Sequence, residues 1–442
     1  MNAPISRSEA MLRETLLSKA TATLQQNDTG RFIKPGPRQY PHQWNWDTPF
    51  VAIGLAHVDA PRARDEIRAL LLGQWRDGFL PHVIYHGGAS DYFPNPEFWQ
   101  TERSPQAPPI STSGITQPPL LATAVRHIHA LSGDDSTSID FLREVYPSLL
   151  GWHRWLYSAR DPEGSGLVAI IHPWESGTDN STRWTEPMQR ITPHDLPAYA
   201  RRDAVHVIAG ERPQAADYER YIYLIDRFRR ARYDPQDLFA TSPFLVQDVL
   251  FNALLHRANE DLRWLAAQLN EPAAEIETWL SRTRDAFRQS LWHEQAGLYY
   301  DYDLRAGTPI RENSCATFIP LFAGIPDEHT AQRLVEEQLR NPLAYAPGPH
   351  ARYYLTSTAI SSPDWEPRRY WRGPVWVPIN WLLIHGLRRY GYSDLAAKIR
   401  RQTLDLVAQN GFHEYYDPRD GSGCGSPDFS WTAALTIDLL LE

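Results

Sequence analysis

SEAMLRETLLSKATATLQ (8–25) sets Met11, Leu12, Leu16, Ala20 and Leu24 on one stripe at helical spacing. The same periodicity recurs near 49–59, 62–76, 115–132, 140–158, 194–208, 216–231, 246–268, 272–292, 330–340, 375–390, 393–408 and 429–441. About thirteen amphipathic helices are therefore predicted. Strand-like alternation is confined to scraps such as LYYDYDL (298–304). No motif repeats at a fixed period, which argues against a solenoid. No Gly/Ser-rich linker divides the chain, so residues 1–442 read as a single all-α domain. Three connections are unusually long: 86–112, 172–193 and 341–373. They hold many of the aromatic residues. The pattern predicts helical hairpins closed into a ring, with these loops as the rim of one mouth.

Composition narrows the function. The chain has 442 residues, of which 42% are hydrophobic and 22% charged, so it can build a large core. Its net charge of −9 argues against nucleic acid and anionic membranes as partners. No apolar run is long enough to span a bilayer. MNAPISRSEAMLRETLL lacks the basic and apolar regions of an export signal. Cys315 and Cys424 form neither a disulfide framework nor a C-x-x-C pair. These features lead us to expect a cytoplasmic protein and leave a homo-oligomer open. No His/Cys/carboxylate cluster has the spacing of a metal site, and no phosphate-binding glycine loop occurs. Neither a catalytic metal nor any other cofactor is expected.

Three motifs carry chemistry. HPWESGTDNSTRW (172–184) places Glu175 and Asp179 between Trp174 and Trp184. GFHEYYDPRDGSGCGSPDFSWTAAL (411–435) carries Glu414 and Asp417 beside Tyr415 and Tyr416. YWRGPVW (370–376) has no acid, but it has Tyr370, Trp371, Arg372 and Trp376. Isolated acids of this kind usually cap helices or sit in solvated turns. Two acidic loops far apart in sequence, each walled by aromatics, point instead to glycoside hydrolysis. One carboxyl protonates the leaving oxygen, and another acts on the opposite face of the sugar. Aromatic walls favour the protonated acid by desolvation and offer a stacking surface. The residues alone leave open which two of Glu175, Asp179, Glu414 and Asp417 form the pair.

WESGTDNS, YWRGPVW, EYYDP and FSWTAAL, in this order, resemble glycoside hydrolase family 63. YPHQWNWDTPFVAIGL (40–55), QWRDGFLPH (74–82) and TSGITQPP (112–119) are similar to its bacterial mannosylglycerate and glucosylglycerate hydrolases. The resemblance runs from about Asn27 to the end. It implies an (α/α)6 barrel and an inverting α-glycosidase that splits 2-O-α-D-glucosyl-D-glycerate, and also the mannosyl analogue, into hexose and glycerate. Asp179 is then the general acid and Glu414 the general base, with Glu175 orienting its loop or holding a hydroxyl. Tyr40, Trp44, Asp47, His82 and Trp174 match the sugar subsite. Tyr92, Gln117, Arg212, Tyr218, Tyr370 and Trp371 match the glycerate side, with Trp376 in the same motif. Asp47 before Thr48-Pro49 also suits a helix N-cap, and His82 after Pro81 also suits a structural histidine. The chain departs from the family's pattern at Thr182, Thr185 and Asp428-Phe429. Rival readings are a relative acting on another short α-glucoside, a silent sugar-binding barrel, and a helical terpene cyclase. The cyclase lacks its acidic helix, because Asp134-Asp135 fall in a turn-like SGDDSTS.

Overall fold

The computed structural model describes residues 7–87, 92–133, 136–203 and 205–442. The expected turn at Asp134-Asp135 lies outside them, as does Gly88, which together with Gly87 is expected from the sequence to give the 86–112 loop hinge freedom. Twelve helices carry the architecture: α1 (Arg7–Asn27), α2 (Asp47–Ala56), α3 (Ala60–Leu71), α4 (Leu121–Ser132), α5 (Ser136–Arg160) and α6 (Val249–Leu269) in the first half, then α7 (Ala274–Ala286), α8 (Ile319–Ala323), α9 (Glu328–Arg333), α10 (Val377–Arg389), α11 (Ser393–Asn410) and α12 (Ser430–Leu441). The even-numbered helices pack in a closed circuit, α2 on α4, α4 on α6, α6 on α8, α8 on α10, α10 on α12 and α12 back on α2. The odd-numbered helices alternate with them in the chain. Among these, α1 packs on α12, α3 on α2, α5 and α7 on α6, and α11 on α10. This is an (α/α)6 barrel.

The two rings differ in sequence as their surroundings require. All ten residues of DTPFVAIGLA in α2 are buried, and α12 (SWTAALTIDLLL) is buried up to Leu440. A helix that is apolar all round belongs inside. APRARDEIRALL in α3 is amphipathic instead, started by Asp59, whose side chain accepts from Arg62 N–H. Gly54 closes the ring, because a Cβ there would lie 2.3 Å from the Ala434 carbonyl oxygen.

Chain order fixes where the loops go. Inner helices lead to their outer partners through three or four residues, as at 57–59, 270–273, 324–327 and 390–392. Each outer helix returns through a much longer segment that enters the next inner helix at its N-terminus. The long segments therefore all gather over one end of the barrel, at the N-termini of the six inner helices.

Most predicted helices are present, with shifted ends. The 115–132 helix begins only at Leu121, because Pro118-Pro119 keep the preceding residues extended. The predicted 194–208 helix does not form among the described residues. Pro193 and Pro197 interrupt it, and the segment runs irregularly until the helix Ala215–Arg230. In the first stripe, Leu16, Ala20 and Leu24 are buried, but Met11 and Leu12 are exposed. An unforeseen helix, Pro235–Thr241, is capped by Asp234. Short strands stiffen the rim, as where Val246–Gln247 pairs with Ala169–Ile170 and Asp301–Asp303. Among the described residues no helix is long and apolar enough to cross a membrane.

Candidate active site

The mouth loops enclose a cavity of about 780 Å³, counted to its open side. Five of the six long connections line it, together with Asp47 at the start of α2 and Trp431 near the start of α12. The sequence motifs meet here. Tyr40, Trp44, Asp47, His82, Tyr92, Gln117, Trp174, Asp179, Arg212, Tyr218, Tyr370, Trp371 and Glu414 all face the cavity.

Buried ion pairs hold the Asp179 loop in place. Glu175 does not face the cavity. It accepts from Arg160 Nη2 at 2.9 Å, Ile171 N at 2.7 Å and Thr116 N at 3.2 Å, tying the loop to α5 and to the 112–119 segment. Arg183 bridges Asp248 and Asp301 at 3.1 and 2.9 Å and donates to Thr178 Oγ1 at 2.7 Å. Asn180 Oδ1 accepts the Trp371 N–H at 2.9 Å, joining two rim loops beside Asp179. Asp417 is equally buried but serves structure, held by Arg419 at 2.7 Å.

The two predicted catalytic carboxyls differ in surroundings. Burial pushes Asp179 from 3.8 up to about 7; Arg212 opposes this, the Glu414 charge adds to it, and the Tyr370 hydroxyl pulls it down again. A large fraction of Asp179 therefore keeps its proton up to about pH 7. Burial also raises Glu414, but Arg212, Tyr40 and the Ser426 N–H each favour its anion. The Tyr40 hydroxyl donates to Glu414 Oε1 at 2.7 Å, and Ser426 N donates to Oε2 at 3.0 Å. One acid and one supported carboxylate thus share a cavity, the division of labour that glycoside hydrolysis needs.

Asp47 is the first residue of α2 and makes no capping bond. Its buried Oδ1 has no hydrogen-bond partner among the described residues. Burial and the Glu414 and Asp179 charges push its carboxyl well above its ordinary range. His82 lines the cavity while its Nδ1 lies 2.6 Å from Ser113 Oγ, so it is both positioned by structure and available to a ligand. Burial holds its imidazole neutral. Gln117 Oε1 is taken by the Trp46 N–H at 2.9 Å.

Arg212 is buried beside this pair. Its Nη1 lies 3.6 Å from Glu414 Oε1, its Nε 3.8 Å from Asp203 Oδ2, and its guanidinium 4.1 Å from the centre of the Tyr370 ring. Neither Nε nor Nη1 makes a hydrogen bond among the described residues. Tyr370 has φ +41°, a left-handed conformation that costs a non-glycine residue about 1–3 kcal/mol. Such strain at a ligand-facing ring is a recurrent mark of function.

Trp376 does not line the cavity. It stacks behind Trp371 at 3.7 Å and on Tyr415 at 4.5 Å, so its ring backs the wall rather than forming it. Sequence reasoning missed Gln39, Trp46, Phe93, Asp203, Tyr221 and Trp431, which also face the cavity. The quoted motifs contain Trp46 and Trp431, and that was the available signal. Of the unusual residues, Phe429 reaches the cavity, whereas Thr182 and Thr185 bond Thr358 and Arg372 outside it.

Comparison with known proteins agrees with this geometry. A family model described as mannosylglycerate hydrolase MGH1-like glycoside hydrolase domain matches residues 40–432. The chain is 46% identical over 420 residues to a mannosylglycerate hydrolase of Thermus thermophilus, covering 95% of this chain and 99% of that one. It is 36% identical over 438 residues to a glucosylglycerate hydrolase of Mycolicibacterium hassiacum, covering 96% and 97%. The crystal structure of a GH63 mannosylglycerate hydrolase from Thermus thermophilus, in complex with Tris and D-glycerate, superposes with a TM-score of 0.90 at 46% identity, covering 96% of this chain and 99% of that chain. The fold and the carboxyl-bearing cavity are those of a glycoside hydrolase. The chain belongs to the MGH1-like glycoside hydrolase family, of the GH63 type.

Proposed function

We propose that the chain acts as one catalytic domain that hydrolyses a 2-O-α-hexosyl-D-glycerate with inversion at the anomeric carbon. The observation that carries this reading is Arg212. A buried guanidinium, two of whose nitrogens make no hydrogen bond among the described residues, sits in the same cavity as the acid and the base. A carboxylate suits it, since the planar fork gives two parallel charge-assisted hydrogen bonds. Tyr218 faces the same cavity and assists. The relatives' names supply the aglycone, and the 46% identical relative favours mannosylglycerate over the glucosyl analogue expected first from sequence.

In the reaction, Asp179 gives its proton to the bridging oxygen as the C1–O bond breaks. Water attacks C1 from the opposite face and passes a proton to Glu414, yielding β-hexose and glycerate. The attacking water implies a carboxyl separation of roughly 6.5–9.5 Å. Solvent then exchanges protons to restore Asp179 and Glu414. Asp47 and His82 hold sugar hydroxyls, while Trp44, Trp174 and Trp371 wall the ring, with Trp376 supporting Trp371.

The test compares wild type and Arg212→Ala on mannosylglycerate, glucosylglycerate and neutral glucosylglycerol. Arg212 also favours the Glu414 anion, so the variant is slower on all three substrates. The two glycerate substrates lose a further ~10- to 100-fold in kcat/KM, equivalent to about 1.5–3 kcal/mol for a hydrogen bond to a charged group. Equal losses on all three would refute carboxylate recognition. NMR of fresh product should show the β-anomer first, and an initial α-anomer would refute inversion.

A further inference from the structure

The other end of the barrel holds a second cluster of chemistry-bearing side chains. His57 follows the last turn of α2, His127 lies in α4, His385 in α10, and Asp438 and Glu442 at the end of α12. All five belong to the C-terminal halves or ends of inner helices, so they lie opposite the active-site mouth. Nothing in the proposed reaction uses them.

Asp438 is fully buried at the centre of the group. Its Oδ1 lies 2.8 Å from His57 Nε2 and 3.0 Å from His127 Nε2. Its Oδ2 accepts the Trp381 indole N–H at 2.7 Å, which fixes the carboxylate with Oδ1 turned toward both imidazoles. Metal-binding carboxylates are oriented by outer hydrogen bonds of this kind. The His385 ring packs against Trp381 with centroids 4.2 Å apart and planes tilted by 58°, and its Nε2 lies 3.2 Å from Glu442 Oε1. The Nε2 atoms of His127 and His385 are shielded from solvent, and neither has a well-aligned hydrogen bond. Arg388 holds the other oxygen of Glu442 at 2.5 Å, which leaves Glu442 a weaker donor than Asp438.

We propose that His57, His127 and Asp438 bind a divalent transition-metal ion of the zinc class at the closed end of the barrel, with His385 and Glu442 beside it. Two imidazoles and a carboxylate are a donor set suited to such ions, whereas magnesium and calcium require mostly oxygen. Zinc bonds of about 2.0–2.2 Å put tetrahedral donors about 3.3 Å apart. The observed nitrogen-to-oxygen distances are a few tenths of an ångström shorter, so small side-chain rotations admit the ion. A bound ion would cross-link α2, α4 and α12, across the seam where the first and last inner helices close the ring. It is structural in kind, separate from the expectation that no metal takes part in catalysis.

The full-length chain, stripped with EDTA, is titrated with zinc chloride by calorimetry and by thermal unfolding. One site per chain and a rise in Tm are expected, with Mg2+ and Ca2+ producing neither. Co2+ in place of Zn2+ should give visible d–d absorption bands. His127→Gln, at a partly exposed position that leaves the core intact, should weaken zinc binding about 10-fold or more and remove the cobalt bands; His57→Gln should do the same. His350→Gln, at an exposed histidine elsewhere, should bind as wild type. Absence of zinc binding, an equal response to Mg2+, or binding that survives both His57→Gln and His127→Gln would overturn the proposal.

Discussion

Asp179 concentrates the electrostatics of the site in one side chain. Burial raises its carboxyl to about 7 in the fold against 3.8 for a free aspartate. The protonated form required of a general acid therefore persists to neutral pH, and kcat/KM should fall above about pH 7 as that proton is lost. The same shift has a stability consequence of definite sign. A carboxyl whose folded pKa is raised contributes fully below its unfolded value, and that contribution is lost as pH rises from 3.8 to about 7. Asp179→Asn should thus raise Tm at pH 8 and leave it unchanged near pH 4, while cutting kcat by about 10²- to 10⁴-fold. A pH-independent change in Tm would contradict the shift, and near-wild-type turnover would contradict the role. Glu414→Gln should cost a similar factor in kcat. At this scale the sequence was informative, because each of the two proposed catalytic carboxyls lies within a local motif. Asp203 was not legible there, since it reaches Arg212 through a loop whose course only the fold defines. Trp376 was misplaced because a motif gives neighbours in sequence, not which ring of a stack faces the ligand.

At the level of elements, helical periodicity was readable wherever one face meets the core. It failed at 194–208, where the spacing of apolar residues suggests a stripe but Pro193 and Pro197 interrupt the backbone ladder. Contact between helices is written less plainly. Gly54 lies within α2, in its last turn, whereas inside a helix glycine costs up to about 1 kcal/mol relative to alanine. Its reason is the approach of α12, since a Cβ would meet Ala434 backbone atoms at 2.3–2.5 Å. Backbone on the far side cannot rotate away as a side chain can. Gly54→Ala should therefore destabilise the protein by about 1–3 kcal/mol despite the better helix propensity, as chemical denaturation would measure. An unchanged or higher midpoint would mean that the α2–α12 seam opens without cost.

Ring closure makes the whole molecule respond to what happens at its mouth. The pocket is lined by five of the six outer-to-inner connections, and each of these ends at the start of a different inner helix. A ligand that touches all five loops therefore links α2, α4, α6, α10 and α12 in one bound state. Binding only to the folded form adds about 2.7 kcal/mol at a hundredfold excess over Kd. If the ring unfolds as one cooperative unit, that increment belongs to every helix and not only to the loops. Saturation with D-glycerate plus hexose should raise Tm and should slow hydrogen exchange in the most protected amides of α2 and α12. Those amides exchange only through global opening, so their slowing reports the stability of the ring itself. Slowing confined to the mouth loops, with the α2 and α12 cores unchanged, would instead show that ligand binding is local and that the barrel unfolds in separable parts.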